Sequence, residues 1–269
     1  MTDPTLDIED MLALNDDPRF IDGIFNYCHR RCDRCPFTDR CRLYADEKRD
    51  DERYPTDDWQ TRVQRSFQRT VELLRRWCKR EGIDYEKVEQ EANAQAVKDE
   101  LERMEETRRD PLLRLAERYT FTAMKLAQVL RTADRFARLP SEAIRALDTI
   151  EWCGIRVSSK VHRAIGGYER RSEDESADDA VQSDWNGSAK VARIDIAESR
   201  AAWETILCVG EAPEDSPLRQ MIGLLDEIDA GVAQRFPDAM AFVRPGFDEP
   251  EVAAGALTTL ACFEPRPRR

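Results

Sequence analysis

The chain has 269 residues, 54 of them acidic and 42 of them Lys or Arg, which gives a formal net charge of −12. This surplus of negative charge disfavours general binding to nucleic acids and to anionic membrane surfaces, because both would repel the protein. An apolar content of 41% is sufficient for a folded core, and no apolar run reaches the roughly 20 residues of a membrane-spanning helix. The N-terminus lacks the basic and apolar regions of a signal peptide. We therefore expect a soluble, cytoplasmic protein.

The first feature along the chain is a group of four closely spaced cysteines. Cys28, Cys32, Cys35 and Cys41 follow the spacing C-x3-C-x2-C-x5-C. In a reducing compartment, thiols at such short intervals are typical of a metal site. Zinc fits because it takes four thiolates tetrahedrally, and a [4Fe–4S] cluster fits because each of its irons takes one thiolate. The isolated cysteines are expected to be small buried hydrophobic residues; they are Cys78, Cys153, Cys208 and Cys262.

The segment Cys32–Cys41 combines a C-x2-C pair, a proline directly after it and a third cysteine. In this respect it resembles the C-x2-C-P-x4-C motif of WhiB-type iron–sulfur regulators, and it is similar to the iron–sulfur cysteine motif of AddB- and Cas4-type nucleases. The resemblance implies that Cys32, Cys35 and Cys41 ligate a cluster, and it implies nothing about DNA. The chain as a whole resembles bacterial helical proteins. We therefore expect a [4Fe–4S] cluster on Cys28, Cys32, Cys35 and Cys41, with zinc as the alternative.

A charged connector is predicted from 46 to 58, and an amphipathic helix follows it. Apolar residues recur at steps of three and four from Trp59 to Cys78, which is the spacing of one helix face. The opposite face, within residues 62–80, is basic and is predicted to be solvated, or to dock an acidic partner or the acidic flexible loop predicted at 171–184. The basic residues of this face are Arg62, Arg65, Arg69, Arg75, Arg76, Lys79 and Arg80.

The rest of the chain predicts further helices and at most one short strand, near 240–243. Asp110-Pro111 and Ser216-Pro217 are typical helix starts, because a capping side chain precedes a first-turn proline. The helices are predicted at 85–108, 110–137, 142–168, 188–209, 217–236 and 251–263. The expected architecture is all-α, with a cysteine-cluster segment (1–55), a helical bundle (56–263) and a basic tail (264–269).

Inside the bundle, polar residues fall on helix faces that are otherwise apolar. The helical projection places Glu151 and His162 in one core stripe, together with Ile155, and places Asp195 in the next. Because buried carboxylates need partners, one prediction is a small-molecule pocket walled by Glu151, His162 and Asp195. The alternative is that these side chains satisfy one another and nearby arginines. A ferritin-like di-iron site is excluded, because that chemistry needs two E-x-x-H pairs and the chain has neither.

Three functional hypotheses follow from these features. The first is a cytoplasmic iron–sulfur protein whose cluster has a redox, sensing or structural role. The second is an interaction module in which zinc on the four cysteines folds the N-terminal segment and charged surfaces contact a partner. The third is a helical-bundle enzyme that acts on a small molecule through Glu151, His162 and Asp195. No nucleotide-binding or hydrolase motif favours a particular reaction.

Overall fold

The computed structural model describes residues 17–91, 94–132, 140–171, 180–210 and 216–249. Every regular element within these ranges is helical, which confirms the all-α prediction. The α-helices of the described ranges are α1 (Arg42–Arg53), α2 (Trp59–Arg80), α3 (Tyr85–Glu91), α4 (Ala94–Arg109), α5 (Pro111–Thr132), α6 (Ser141–Glu169), α7 (Asp184–Gly210) and α8 (Pro217–Arg235). Short 3-10 turns lie at Ile24–Asn26, Cys32–Arg34, Thr38–Arg40 and Ala239–Ala241. The last of these turns lies where at most a short strand was predicted, and residues 240–243 form no strand.

The chain divides into two compact units. The first, here called the cysteine unit, comprises Met1–Leu101 and Pro245–Arg269; the second, the bundle unit, comprises Glu102–Arg244. The division falls within α4. The predicted helix at 251–263, the basic tail and the central part of the predicted acidic loop lie outside the described residues.

In the bundle unit, α5 to α8 form an antiparallel four-helix bundle. Helix α6 packs against α5 and α7, and α8 packs against α7 and α5. Inter-helix ion pairs show that neighbouring helices run in opposite directions. Some pairs join the end of one helix to the start of another, and in the two pairs between α7 and α8 the residue numbers rise along α7 while they fall along α8. These pairs are Arg163–Asp184 (2.6 Å), Arg193–Asp229 (2.7 Å), Arg200–Asp226 (2.9 Å) and Arg235–Asp110.

The helix starts follow the capping chemistry that the sequence predicted. Asp110 accepts the backbone N–H of Leu112 at 2.9 Å, directly before α5. Ser216 accepts the backbone N–H of Leu218 at 3.3 Å and is the N-cap of α8. In each case the side-chain oxygen satisfies a donor that the first helical turn leaves unpaired, and the following proline has no N–H to satisfy.

Three side chains form a buried hydrogen-bonded group in the bundle core. The Tyr119 hydroxyl of α5 accepts the indole N–H of Trp203 at 3.1 Å and shares a short hydrogen bond with the Ser199 hydroxyl. All three residues are fully buried. Burial raises the pKa of the Tyr119 hydroxyl to about 12, so it stays neutral. This group fixes α5 against α7 while leaving its own polar atoms paired.

Helices α6 and α1 each differ from what the sequence predicted. Ile155, which the projection placed in the core, is 53% exposed, while Arg156 beside it is largely buried. The observed buried side of α6 runs through residues such as Ile150 and Val157, so it is rotated about the helix axis away from the stripe that the projection used. Residues 42–53 form helix α1 where a connector was predicted. This helix has no apolar periodicity and contains ion pairs one turn apart instead, such as Arg49–Asp46 at 2.8 Å.

In the cysteine unit, the basic face of α2 is neutralised by nearby acidic residues. Its arginines pair with aspartates of α1 and of the turn that follows α1. The pairs are Arg62–Asp51, Arg65–Asp57 and Arg69–Asp50. Arg69 is buried, with 7% of its surface exposed. The expectation of a fully solvated basic face is therefore wrong for these three arginines.

The apolar face of α2 is exposed in consequence. Large apolar side chains along this helix have between 45% and 70% of their surface exposed. These residues, here called the α2 apolar surface, are Trp59, Val63, Phe67, Leu74 and Trp77. Contiguous apolar surface of this kind is uncommon on a soluble domain and marks interaction sites.

Replacing Tyr119 with Phe tests the buried hydrogen-bonded group. The variant leaves the Trp203 indole and the Ser199 hydroxyl without their shared partner, so the free energy of unfolding should fall by about 1–2 kcal/mol. Urea denaturation of the bundle measures this difference. As a control, Thr205→Ala removes an exposed hydroxyl that bonds to its own helix and should change stability by less than about 0.5 kcal/mol. An equal effect of both variants would contradict the role of the buried group.

Candidate metal centre

The four N-terminal cysteines line one cavity. Besides Cys28, Cys32, Cys35 and Cys41, it is bordered by apolar and aromatic side chains, which are Ile24, Phe25, Phe37, Tyr44 and Phe247. All four cysteines are partly buried. The structure therefore brings together the whole set that the spacing predicted.

Tight turns place the sulfurs around this cavity. Arg30, between the first two cysteines, has the left-handed backbone conformation (φ 55°), which folds the C-x3-C stretch back on itself. Cys32 begins one 3-10 turn, and the Cys35 backbone N–H closes that turn on the Cys32 carbonyl at 3.4 Å. A second turn ends at Cys41, which is the N-cap of α1. One cavity wall is thus the start of a helix.

Aromatic residues pack against the loop that carries the four cysteines. Phe37 is buried and meets Phe247 edge to face, with ring centroids 5.0 Å apart. His29 is half-buried against the same ring, and its Nδ1 accepts the Arg31 backbone N–H at 2.9 Å. Gly246 has φ +75°, and a Cβ there would lie 2.9 Å from Ile24, so a side chain at this position would push into the loop.

The site disfavours thiolates when no cation is present. Desolvation raises the pKa of Cys32 to about 11, and the charges of Glu47 and Cys28 act in the same direction. Burial also raises the pKa of Cys35. Glu47 is itself paired with Arg30 at 3.4 Å. A bound metal ion or cluster reverses this balance, because it holds its thiol ligands in the deprotonated form.

The spacing of the sulfurs bears on the kind of metal. A single zinc ion with Zn–S bonds of about 2.3 Å brings its four sulfurs to about 3.8 Å from one another. Among the described residues, the ligand atoms of Cys153, Asp195 and Glu198 lie within 4.8 Å of one another. No three of the four N-terminal cysteines have their sulfurs this close together. A [4Fe–4S] cluster places a cube of irons and sulfides between its thiolates and needs them farther apart. Binding a single zinc ion at the four cysteines would therefore require their sulfurs to move closer together.

The three residues predicted for a bundle site have separate surroundings. Glu151 is half-buried and accepts two hydrogen bonds from Arg131, at 2.7 and 2.8 Å. Asp195 is fully buried and accepts from Arg156 at 3.0 and 3.1 Å. Within the described residues, no hydrogen bond or ion pair joins Glu151, His162 and Asp195 to one another. The two carboxylates follow the alternative prediction, in which buried acids are satisfied by arginines.

A different set surrounds Asp195. The thiol of Cys153 on α6 donates to Glu198 at 3.6 Å, and both residues lie beside Asp195. Desolvation raises the pKa of Asp195 to about 6, against the lowering effect of Arg156. It also raises the pKa of Cys153, as do the charges of Asp195 and Glu198. Sequence reasoning missed Cys153 because an isolated cysteine in an apolar stripe has the pattern of a small hydrophobic residue.

No family model matches the chain, and neither a curated protein nor a solved structure matches it significantly. Among the described residues, none of the helices combines the length and the apolar character that crossing a membrane requires.

The raised pKa of Asp195 is directly testable. In protein kept free of metal ions, the carboxyl carbon of Asp195, followed by NMR, should titrate with a midpoint near pH 6 instead of the usual value of about 3.9. The neighbouring charges are Arg156 and Lys160, which lower this pKa, and Glu198, which raises it. Arg156→Gln should therefore move the midpoint upward. Because the folded-state pKa exceeds the unfolded one, Asp195 makes the fold more stable as the pH falls from about 6 to 4. A midpoint below 4 would contradict the burial of this carboxylate.

Proposed function

We propose that this protein is a cytoplasmic iron–sulfur protein that holds a [4Fe–4S] cluster on Cys28, Cys32, Cys35 and Cys41. The observation that carries the proposal is the convergence of all four cysteines on one cavity. The cluster supplies a centre that is sensitive to oxidation, while the protein supplies the thiolates, the aromatic enclosure and nearby guanidinium groups. Arg30 and Arg31 border the cavity, and their charge offsets the negative charge of a thiolate-bound cluster.

The role that fits the surroundings is sensing or structural control of the helices that follow. Cys41 is both a ligand and the N-cap of α1, and its carbonyl accepts the Ala45 N–H at 3.0 Å. Helix α1 in turn carries Asp50, which pairs with the buried Arg69 of α2. Loss of the cluster therefore frees the start of α1 and weakens the contact that holds α2. The cluster and the α2 apolar surface are connected through one short helix.

The zinc-stabilised interaction module is the second candidate. The exposure of the α2 apolar surface favours this candidate, because exposed apolar surface is typical of protein contact sites. This argument holds for either metal at the cysteines. The zinc candidate requires the sulfurs to move closer together than they lie in the structure. A [4Fe–4S] cluster takes thiolates that lie farther apart, and this difference favours the iron–sulfur candidate.

The ligand assignment predicts the metal content of cysteine variants. Wild-type protein purified without oxygen should contain about four irons and four acid-labile sulfides per chain. Cys35→Ser should lose most of both, because one iron loses its thiolate. Cys208→Ser is the matched control, since Cys208 is an exposed cysteine of the bundle unit, and it should retain full content. A colourless wild-type protein with one zinc would support the second candidate, and full iron content in Cys35→Ser would contradict the ligand set.

The connection through α1 predicts a change in backbone protection. In cluster-free protein, amides of residues 42–53 and 59–80 should exchange with deuterium faster than in the loaded protein, because α1 loses its anchored start. Amides of α6 and α7 serve as the internal reference and should not change. Mass spectrometry after proteolysis measures both sets. If the exchange rates in α1 and α2 did not change, the cluster would not control these helices, although the ligand assignment would be unaffected.

A further inference from the structure

Three side chains of unlike chemistry meet between α6 and α7 in the bundle unit. Asp195 and Glu198 are three residues apart on α7 and so share one face, and Cys153 faces them from α6. One ligand atom of each, a sulfur and two carboxylate oxygens, lies within 4.8 Å of the other two. Cys153 and Asp195 are buried, while Glu198 is exposed. The group is thus closed on the protein side and open to solvent through Glu198.

This arrangement has the dimensions of a transition-metal site. Zinc binds sulfur at about 2.3 Å and carboxylate oxygen at about 2.0–2.2 Å, which places tetrahedral ligand atoms roughly 3.4–3.6 Å apart. The Cys153 sulfur and a Glu198 oxygen already lie 3.6 Å apart, and the ligand atoms of all three residues lie within 4.8 Å of one another. Three protein ligands leave a fourth tetrahedral position for a water molecule. This water can reach the ion from the solvent-exposed side, where Glu198 lies. The thiolate favours zinc and similar transition metals over magnesium or calcium, which prefer ligand sets made of oxygen.

The positive groups around the trio allow this assignment but limit the affinity. Arg156 donates to both oxygens of Asp195, at 3.0 and 3.1 Å. A carboxylate that ligates a metal commonly keeps such a second hydrogen bond, which fixes its orientation. Lys160 also lies close enough to act on Asp195, and burial with neighbouring Arg163 and Arg156 lowers its pKa to about 8. Its positive charge opposes a metal ion at neutral pH.

We propose that Cys153, Asp195 and Glu198 form a second metal site, separate from the N-terminal cysteines, for one zinc or similar divalent transition-metal ion. Binding releases the Cys153 thiol proton to solvent and forms the metal–sulfur bond, with no change in oxidation state. Arg156 orients Asp195 and is a positioning residue. The site does not depend on whether the N-terminal cysteines hold a cluster or zinc.

Cobalt is the probe that reports on the thiolate directly, because cobalt bound to sulfur gives a charge-transfer absorption that cobalt bound only to oxygen lacks. The test uses the full chain with Cys28, Cys32, Cys35 and Cys41 replaced by serine, its helicity checked by circular dichroism. This protein should bind one cobalt ion with thiolate absorption, and added zinc should displace it. Cys153→Ala in this background should abolish the absorption, and Glu198→Gln should weaken binding by roughly tenfold or more. Cys78→Ala, the loss of another buried cysteine, should leave both unchanged.

A second measurement keeps the test decisive if the four-serine protein does not fold. Zinc bound by the wild-type chain, counted after equilibrium dialysis, should exceed that of Cys153→Ala by one ion per chain. The Cys78→Ala protein should bind as much as wild type. Absence of the thiolate absorption in a folded four-serine protein, or equal zinc in wild type and Cys153→Ala, would overturn the proposal.

Discussion

One continuous apolar core, built mainly from buried residues of α5 to α8, is the interaction that holds the bundle unit together. Because 36% of the residues are charged, helix contacts also carry charges, and arginine–carboxylate pairs across helices give these charges partners. Arg163, Arg193 and Arg235 join the four helices of the bundle along its sides and at one end. Where a pair is buried, as for Arg156–Asp195, removal of one partner leaves a desolvated charge, which is far more costly than the loss of an exposed pair.

The same constraint explains the unusual orientation of α2. A basic face in an acidic protein finds its counter-charges nearby, and here they come from residues 50–57 directly before the helix. Arg62, Arg65 and Arg69 pair with these residues, while the apolar face of α2 stays exposed. Apolar burial and charge pairing therefore compete for this helix, and the charged face is the one that is covered. The cost is exposed apolar area, which a partner of this surface would recover.

The sequence predicted the elements whose signals are local. Apolar periodicity and Pro140 place α6 within one residue of the observed Ser141–Glu169, and cysteine spacing alone selects the four residues that share a cavity. Helix α1 was missed because ion pairs, not an apolar stripe, stabilise it. The Cys153 trio was missed for a different reason. Its members lie on two helices, so their meeting depends on the packing of α6 against α7, which no local pattern records.

The two candidate sites differ in the property that separates metals in a cell. Affinity alone gives little selectivity among divalent ions, because the order of affinities is similar for most ligand sets. Geometry and ligand type then decide. The N-terminal cysteines line one cavity, and no three of their sulfurs lie within 4.8 Å of one another, which favours a group that brings its own inorganic sulfide. The bundle trio is compact and mixes one sulfur with two oxygens, which suits a single ion. The two proposed sites therefore call for different groups, a cluster at the N-terminal cysteines and a single ion at the bundle trio.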